Sequence, residues 1–286
     1  MALPAFDYYR AHSVDEALAL AAEHPEAVWL AGGHSLIPLL NVRLAYPGAL
    51  IDIGPIVELT GIRPTPDGGW SIGALTTHAM LAANVEVPPV LAQAAAQIGD
   101  PQVRNRGTLG GNVAHADPAA DYPPVLLALE AAFTLRGPTG QRNVTAANFF
   151  QGLFTTALQE GELLTEVRLA APPSGSTSAY AKLAHPASGY ALVGAAAVLV
   201  VEQGRCTQAR VAVGGATPTA VRAPRVEAAL IGQTLNEANL AAAAATVEAD
   251  LGDELLNDHQ ASAAYRRRMA TVYVKRALTQ AATDRT

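Results

Sequence analysis

The sequence predicts an α+β fold. Short predicted strands and helices alternate up to about residue 173, a long apolar run from Ala191 to Val201 reads as a buried strand, and the chain turns helical after Gly214-Gly215. No repeat of fixed period is visible. The chain has 286 residues, half of them apolar and 15% charged, enough to bury a sizeable core in one large domain or two to three small ones.

The elements follow in order. Ser13 and Glu16 form a capping-box pattern ahead of Ala17, Leu18, Leu20 and Ala21, so a helix starts there and Pro25 closes it. A strand over Ala27–Ala31 runs into Gly32-Gly33-His34-Ser35, then a helix over Leu36–Leu44 that Pro47-Gly48 breaks, then a strand over Ala49–Ile53. Residues 1–55 thus read as a first β-α unit. A second section, 56–173, holds a strand at Trp70–Gly73, a helix Ala79–Asn84 capped by Thr76 or Thr77, a helix Val90–Ile98, and strands at Ala132–Arg136 and Leu163–Leu169. Between them Gly99–Pro124 is dense in Gly, Pro, Asp and Asn and reads as a long irregular, functional loop. Pro172–Ser176 reads as a linker. The third section, 174–286, contains strands Tyr180–Leu183, Leu192–Val201 and Cys206–Val213, with a turn at Gln203-Gly204. Helices Val226–Ile231, Ala238–Leu251 and Ala261–Gln280 complete it.

Composition excludes several classes. No run of 18 apolar residues exists, so no membrane span is expected. Met1–Arg10 lacks a charged stretch followed by an apolar one, which points to a cytoplasmic address. Net charge is −6 without a basic cluster interleaved with aromatics, against nucleic acid as a partner. A single cysteine, Cys206, leaves no internal disulfide and no all-cysteine iron–sulfur cluster on this chain. Mean hydropathy is positive, a hint of buried subunit interfaces. The C-terminal helix carries Arg266, Arg267, Arg268, Lys275 and Arg276, readable as a solvated basic face or as a docking face.

Two glycine loops invite a chemical reading. Ala31-Gly32-Gly33-His34-Ser35-Leu36 lies between a strand and a helix, where glycines let backbone N–H groups approach an anion. Thr108-Leu109-Gly110-Gly111-Asn112 can form a similar nest of donors. Together they suit a pyrophosphate; separately, each reads first as a tight turn. G-x-G-x-x-G and G-x-x-x-x-G-K-[ST] are absent, and the histidines show no H-x-H or H-E-x-x-H spacing, so His34, His115 and His185 are not expected to bind metal.

The segments AGGHSLIPLLNVRLA (31–45) and GTLGGNVAHADPAADYPPVLLAL (107–129) resemble the FAD-binding medium subunits of molybdenum hydroxylases of the carbon monoxide dehydrogenase kind. They are also similar to the flavin subunits of nicotine dehydrogenase and the flavin domain of xanthine dehydrogenase. GELLTEVRL (161–169), YAKLAHPASGYALVGAAA (180–197) and SAAYRRRMATVYVKRAL (262–278) extend the resemblance over nearly the whole chain. It implies the vanillyl-alcohol-oxidase/PCMH-type FAD-binding fold: two α/β subdomains (1–55 and 56–173) with FAD between them, plus a C-terminal α+β domain (174–286). It assigns Leu30, Ala31, Gly32, Gly33, His34, Ser35, Leu36 and Ile37 to a pyrophosphate and flavin-proximal loop, and Thr108, Leu109, Gly110, Gly111 and Asn112 to a second loop. Ile98 and Leu164 are implied as apolar contacts, Asp121 as an acceptor for sugar hydroxyls, Lys182 as a basic residue near the cofactor, and Tyr190 as an aromatic over the isoalloxazine ring. Lys182 is otherwise a surface lysine and Tyr190 a core residue.

By this resemblance FAD is noncovalent, since no residue matches a covalent-attachment pattern. The chain also lacks the inserted cysteine loop of the benzoyl-CoA-reducing branch. The implied function is electron transfer from [2Fe–2S] clusters of a small subunit, through FAD, to an external acceptor. A large molybdenum-cofactor subunit oxidises the substrate, and the assembly is a dimer of heterotrimers. No catalytic residue is assigned to this chain. A stand-alone FAD-dependent oxidase of the same fold is the alternative.

Overall fold

The computed structural model describes residues 3–283; Met1 and Ala2, part of the N-terminal segment read for a signal, and residues 284–286 lie outside the described residues. Three sheets organise the chain. The first is parallel and three-stranded, in the order Asp7–Arg10, Ala49–Asp52, Ala27–Leu30. Helix Val14–Glu23 is capped by Ser13, whose hydroxyl accepts from the Glu16 N–H, while the Glu16 carboxylate reaches back to the His12 N–H. Its inner residues Val14 and Ala17 pack with Ile51 and Ile53, and also with Leu163 of the next sheet and Leu75 just past one of its strands. That shared core fixes the first unit on the second.

The second sheet is antiparallel, in the order Ile62–Pro64, Trp70–Gly73, Leu163–Leu169, Ala132–Gly137, Gly140–Thr145. The third is antiparallel as well: Ser176–Ala184, Ala191–Glu202, Arg205–Gly214, Val221–Arg222. Its central strand is apolar from Ala191 to Val201 because both faces are buried up to Val200. Val193, Ala195, Ala197 and Leu199 face the C-terminal helices. Ala196 and Val198, with Tyr180 and Ala212, face the core of the second section. Gln203 and Gly204 both take positive φ, the geometry of a tight two-residue hairpin.

The expected irregular segment Gly99–Pro124 is instead largely helical: Pro101–Arg106, Leu109–His115 and Tyr122–Ala128. Asp100 caps the first of these through the Val103 N–H, with Pro101 at its start, and Thr108 caps the second through the Gly111 N–H. Turn-rich composition there encodes caps. Other boundaries shift too. The helix expected to reach Leu44 ends at Asn41, because Arg43 turns left-handed and Leu44 N–H returns to the Leu39 carbonyl. The helix expected over Ala238–Leu251 breaks at Thr246, between Glu237–Ala245 and Val247–Asp250. The expected linker is shorter than read, since Ser176 already belongs to a strand.

Arg266 fits neither reading of the basic helix. It is buried, bridges Asp258 at 2.8 Å and donates to the carbonyls of Leu192 and Gly215, so it pins the C-terminal helix Ala263–Thr283 to the third sheet. Arg267 donates to the Glu248 and Gly252 carbonyls, and Lys275 pairs with Glu237. None of the described helices is long and apolar enough to cross a membrane.

Candidate functional site

A cleft of about 650 Å³ opens where the three sheets meet. Its walls come from the loop after the first sheet's strand Ala27–Leu30, from the capped helices between residues 98 and 121, from Leu163 and Leu164, and from Ser188–Tyr190.

The first glycine loop behaves as a donor array. Gly33 sits at φ +76°, a conformation L side chains avoid. The N–H groups of Gly33, His34 and Ser35 find no acceptor among the described residues, and all three residues line the cleft. The second loop differs from the nest expected of it. Four of its five N–H groups are already used: Leu109 donates to the Thr76 carbonyl, Gly110 to the Ala74 carbonyl at 2.8 Å, Gly111 to Thr108 Oγ1 and Asn112 to the Thr108 carbonyl. Glycines are needed here for packing. A Cβ on Gly110 would stand 2.5 Å from that of Ala74, and one on Gly111 would stand 2.8 Å from Thr108 Oγ1. Gly32 plays the same part in the first loop, since a Cβ there would overlap the Arg106 carbonyl. The two loops therefore interlock.

Beyond the interlock the cleft wall is largely apolar and carries a few polar side chains. Asn112 lines it, and its Oδ1 is buried without a hydrogen-bond partner. Asp121 is buried at the cleft floor, accepting from Tyr180 Oη at 2.7 Å and Lys182 Nζ at 2.9 Å. Burial pushes its carboxyl up, against the pull of the Lys182 ammonium and the Tyr180 hydroxyl. Lys182 is no surface lysine: its side chain is 2% exposed and also donates to the Gln97 carbonyl. Tyr190 is no core residue: it is 42% exposed and lines the cleft, and burial on its inner side raises its phenol. Ala31, Leu36, Ile98, Thr108 and Leu164 also line the cleft, whereas Leu30, Ile37, Leu109 and Lys182 are set back from it.

Sequence reasoning missed Trp29, Ala74, His78, Val103 and Glu162, which also line the cleft. His78 carried a partial signal, because the Thr77 cap places it at the start of helix His78–Ala83. Which way it faces depends on packing against Tyr122, from a distant helix. His115, also on the cleft wall, has its imidazole pulled down by burial and lies against Phe154.

Residues 4–172 match the family described as the FAD binding domain in molybdopterin dehydrogenase, and residues 178–281 the CO dehydrogenase flavoprotein C-terminal domain. The chain is 41% identical to the 6-hydroxypseudooxynicotine dehydrogenase complex subunit alpha of Paenarthrobacter nicotinovorans, over 97% of this chain and 95% of that one. It is 39% identical to the carbon monoxide dehydrogenase medium chain of Afipia carboxidovorans, over 96% of each. Among solved structures, the carbon monoxide dehydrogenase of Hydrogenophaga pseudoflava that lacks the Mo-pyranopterin moiety superposes with a TM-score of 0.93 at 42% identity, covering 100% of this chain and 99% of that one. Quinoline 2-oxidoreductase from Pseudomonas putida 86 gives 0.93 at 35% identity, covering 99% of each.

The cleft passes a physical test for FAD. Three unpaired N–H groups on the first loop suit the oxygens of a pyrophosphate. The Asn112 Oδ1 finds no donor among the described residues, and a buried polar atom without a partner is costly. The volume lies within the range of pockets that enclose small molecules. With the family matched along both parts of the sequence and the cleft chemically suited to its cofactor, the chain belongs to the FAD-binding medium subunits of the molybdenum hydroxylases of the carbon monoxide dehydrogenase and xanthine dehydrogenase type.

Proposed function

We propose that this chain carries electrons within a three-subunit molybdenum hydroxylase. A large molybdenum-cofactor subunit oxidises the substrate, a small subunit with [2Fe–2S] clusters passes the electrons on, and the FAD of this chain delivers them to an external acceptor. The observation that carries the reading is coverage: the chain spans 95% and 96% of two relatives named as a complex subunit and a medium chain. Two heterotrimers pair in the assembly, and it works in the cytoplasm.

Bound FAD supplies a redox centre that accepts and releases electrons; the protein binds it, orients it and tunes it. The loop Leu30–Ile37 holds the pyrophosphate through the N–H groups of Gly33, His34 and Ser35. The Thr108–Asn112 helix start shapes the opposite wall, and Asn112 Oδ1 accepts from the ligand. Asp121 would accept from sugar hydroxyls, Ile98 and Leu164 would supply apolar contact, and Tyr190 would cover the ring. Lys182 stands behind Asp121 and offsets its charge. The domains remain those of the sequence, 1–55, 56–173 and 174–286, a division supported by one major sheet in each range.

Co-expression with the chromosomal neighbours, followed by size exclusion and metal analysis, tests the reading. A stoichiometric complex containing iron and molybdenum is expected, with iron–sulfur absorbance bleached by substrate before the flavin is reduced. A chain that stays monomeric and free of both metals would reject it.

A further inference from the structure

His78 is absent from the residues that the glycine motifs single out, yet its protonation state can be worked out atom by atom. The Tyr122 side chain is fully buried, and its hydroxyl meets one polar neighbour, His78 Nδ1 at 2.9 Å. A buried hydroxyl proton without an acceptor is costly, so Tyr122 O–H donates and Nδ1 accepts. The imidazole is neutral at pH 7, because burial holds it down at about 4. In a neutral imidazole with an accepting Nδ1, the proton sits on Nε2. That Nε2–H has no acceptor among the described residues. The Nε2 edge lies against Gly107, where a Cβ would stand 2.6 Å away, and both residues line the cleft. Helix His78–Ala83 is itself tied to the second loop, since His78 N–H donates to the Gly107 carbonyl and Thr77 bridges Thr108.

We propose that His78 is a further FAD-binding residue, its Nε2–H donating to an acceptor oxygen of the dinucleotide, and that Tyr122 is a positioning residue that fixes the imidazole tautomer. The cleft lining then includes a donor at His78 Nε2 with no acceptor among the described residues, a hydrogen-bonding group that the dinucleotide can satisfy. The proposal rests on the FAD reading. It adds one donor that the first loop does not contain, held by a rigid, buried hydrogen bond.

The test uses the full chain, stripped of FAD and titrated with FAD while free flavin fluorescence is followed. His78→Gln keeps an N–H near the Nε2 position and should bind within about 3-fold of the wild type. His78→Leu combined with Tyr122→Phe removes both members of the buried pair, so no orphaned hydroxyl is left, and should weaken binding about 10-fold, the usual effect of one lost hydrogen bond. Tyr122→Phe alone, which frees the tautomer, should fall between them. Imidazole-labelled nitrogen NMR of the wild type gives a second readout that needs no variant: the Nε2–H resonance should be present and should shift when FAD is added. An Nε2–H signal indifferent to FAD, a proton found on Nδ1, or unchanged affinity in the double variant would each overturn the role of His78. A wild-type chain that binds no FAD would instead overturn the underlying cofactor reading.

Discussion

At the scale of single residues, burial controls charge. The His78 imidazole is held at about 4, with His34 and Arg104 adding to the effect of burial, whereas a histidine in the unfolded chain titrates near 6.5. Between those values the unfolded chain binds the extra proton, so stability is complete above pH 6.5 and is lost as the pH falls toward 4. The whole effect is on the order of 3 kcal/mol. Urea unfolding at pH 7 and at pH 4.5 measures it. The variant lacking both His78 and Tyr122 polar groups should lose clearly less stability between the two pH values than the wild type; an equal loss in both would place the pH dependence elsewhere. Of the residues that form the cleft, the glycines were legible because motifs mark them, and Asp121 only through the family resemblance. His78 was not, since a histidine at the start of a short helix says nothing about the buried hydroxyl that meets it from a distant helix.

At the scale of elements, the interlock of the two loops makes a definite demand on Gly32. Its Cβ would overlap the Arg106 carbonyl, a backbone atom that cannot swing aside. Gly32→Ala should therefore destabilise the chain by about 1–3 kcal/mol, the range for overpacked sites, and lower its flavin content. Gly175→Ala is the control: at φ +69° with open space around it, it carries only backbone strain of about 1–2 kcal/mol and should keep its flavin. Full flavin occupancy in a stable Gly32→Ala chain would show that the loops part without harm. The same loops show what sequence can tell about elements. Strands Trp70–Gly73 and Leu163–Leu169 were legible to the residue, because apolar residues alternating with polar ones between turn residues have few other readings. Asp7–Arg10 and Gly140–Thr145 were not, being edge strands rich in polar residues, the first paired with a strand some forty residues on and the second with the strand just before it. The helices between 99 and 124 were hidden by their own caps, since Asp, Thr, Pro and Gly signal both a loop and a helix start.

At the scale of the whole molecule, one buried ion pair ties the cleft to the third sheet. Asp121 precedes helix Tyr122–Ala128, Lys182 stands on strand Ser176–Ala184, and the same ammonium reaches the Gln97 carbonyl at the end of helix Pro89–Ala96. Lys182→Met leaves a carboxylate buried without its counter-charge and should cost about 3–5 kcal/mol. Asp121→Asn together with Lys182→Met should cost less than the sum of the single changes by on the order of 1–3 kcal/mol, measured by urea unfolding. Strict additivity would mean that the pair is incidental to the join. The division of the chain was legible in outline, but this join was not, because nothing local in Asp121 or Lys182 announces the other. The interlock at Gly32 has a consequence for timing. It closes a long stretch of chain during folding, so the entropy of bringing the cleft walls together is settled before any ligand arrives. FAD then meets a receptor already in its bound shape, and reconstitution of the stripped chain should be a single second-order step, its rate proportional to FAD concentration and without a lag for rearrangement.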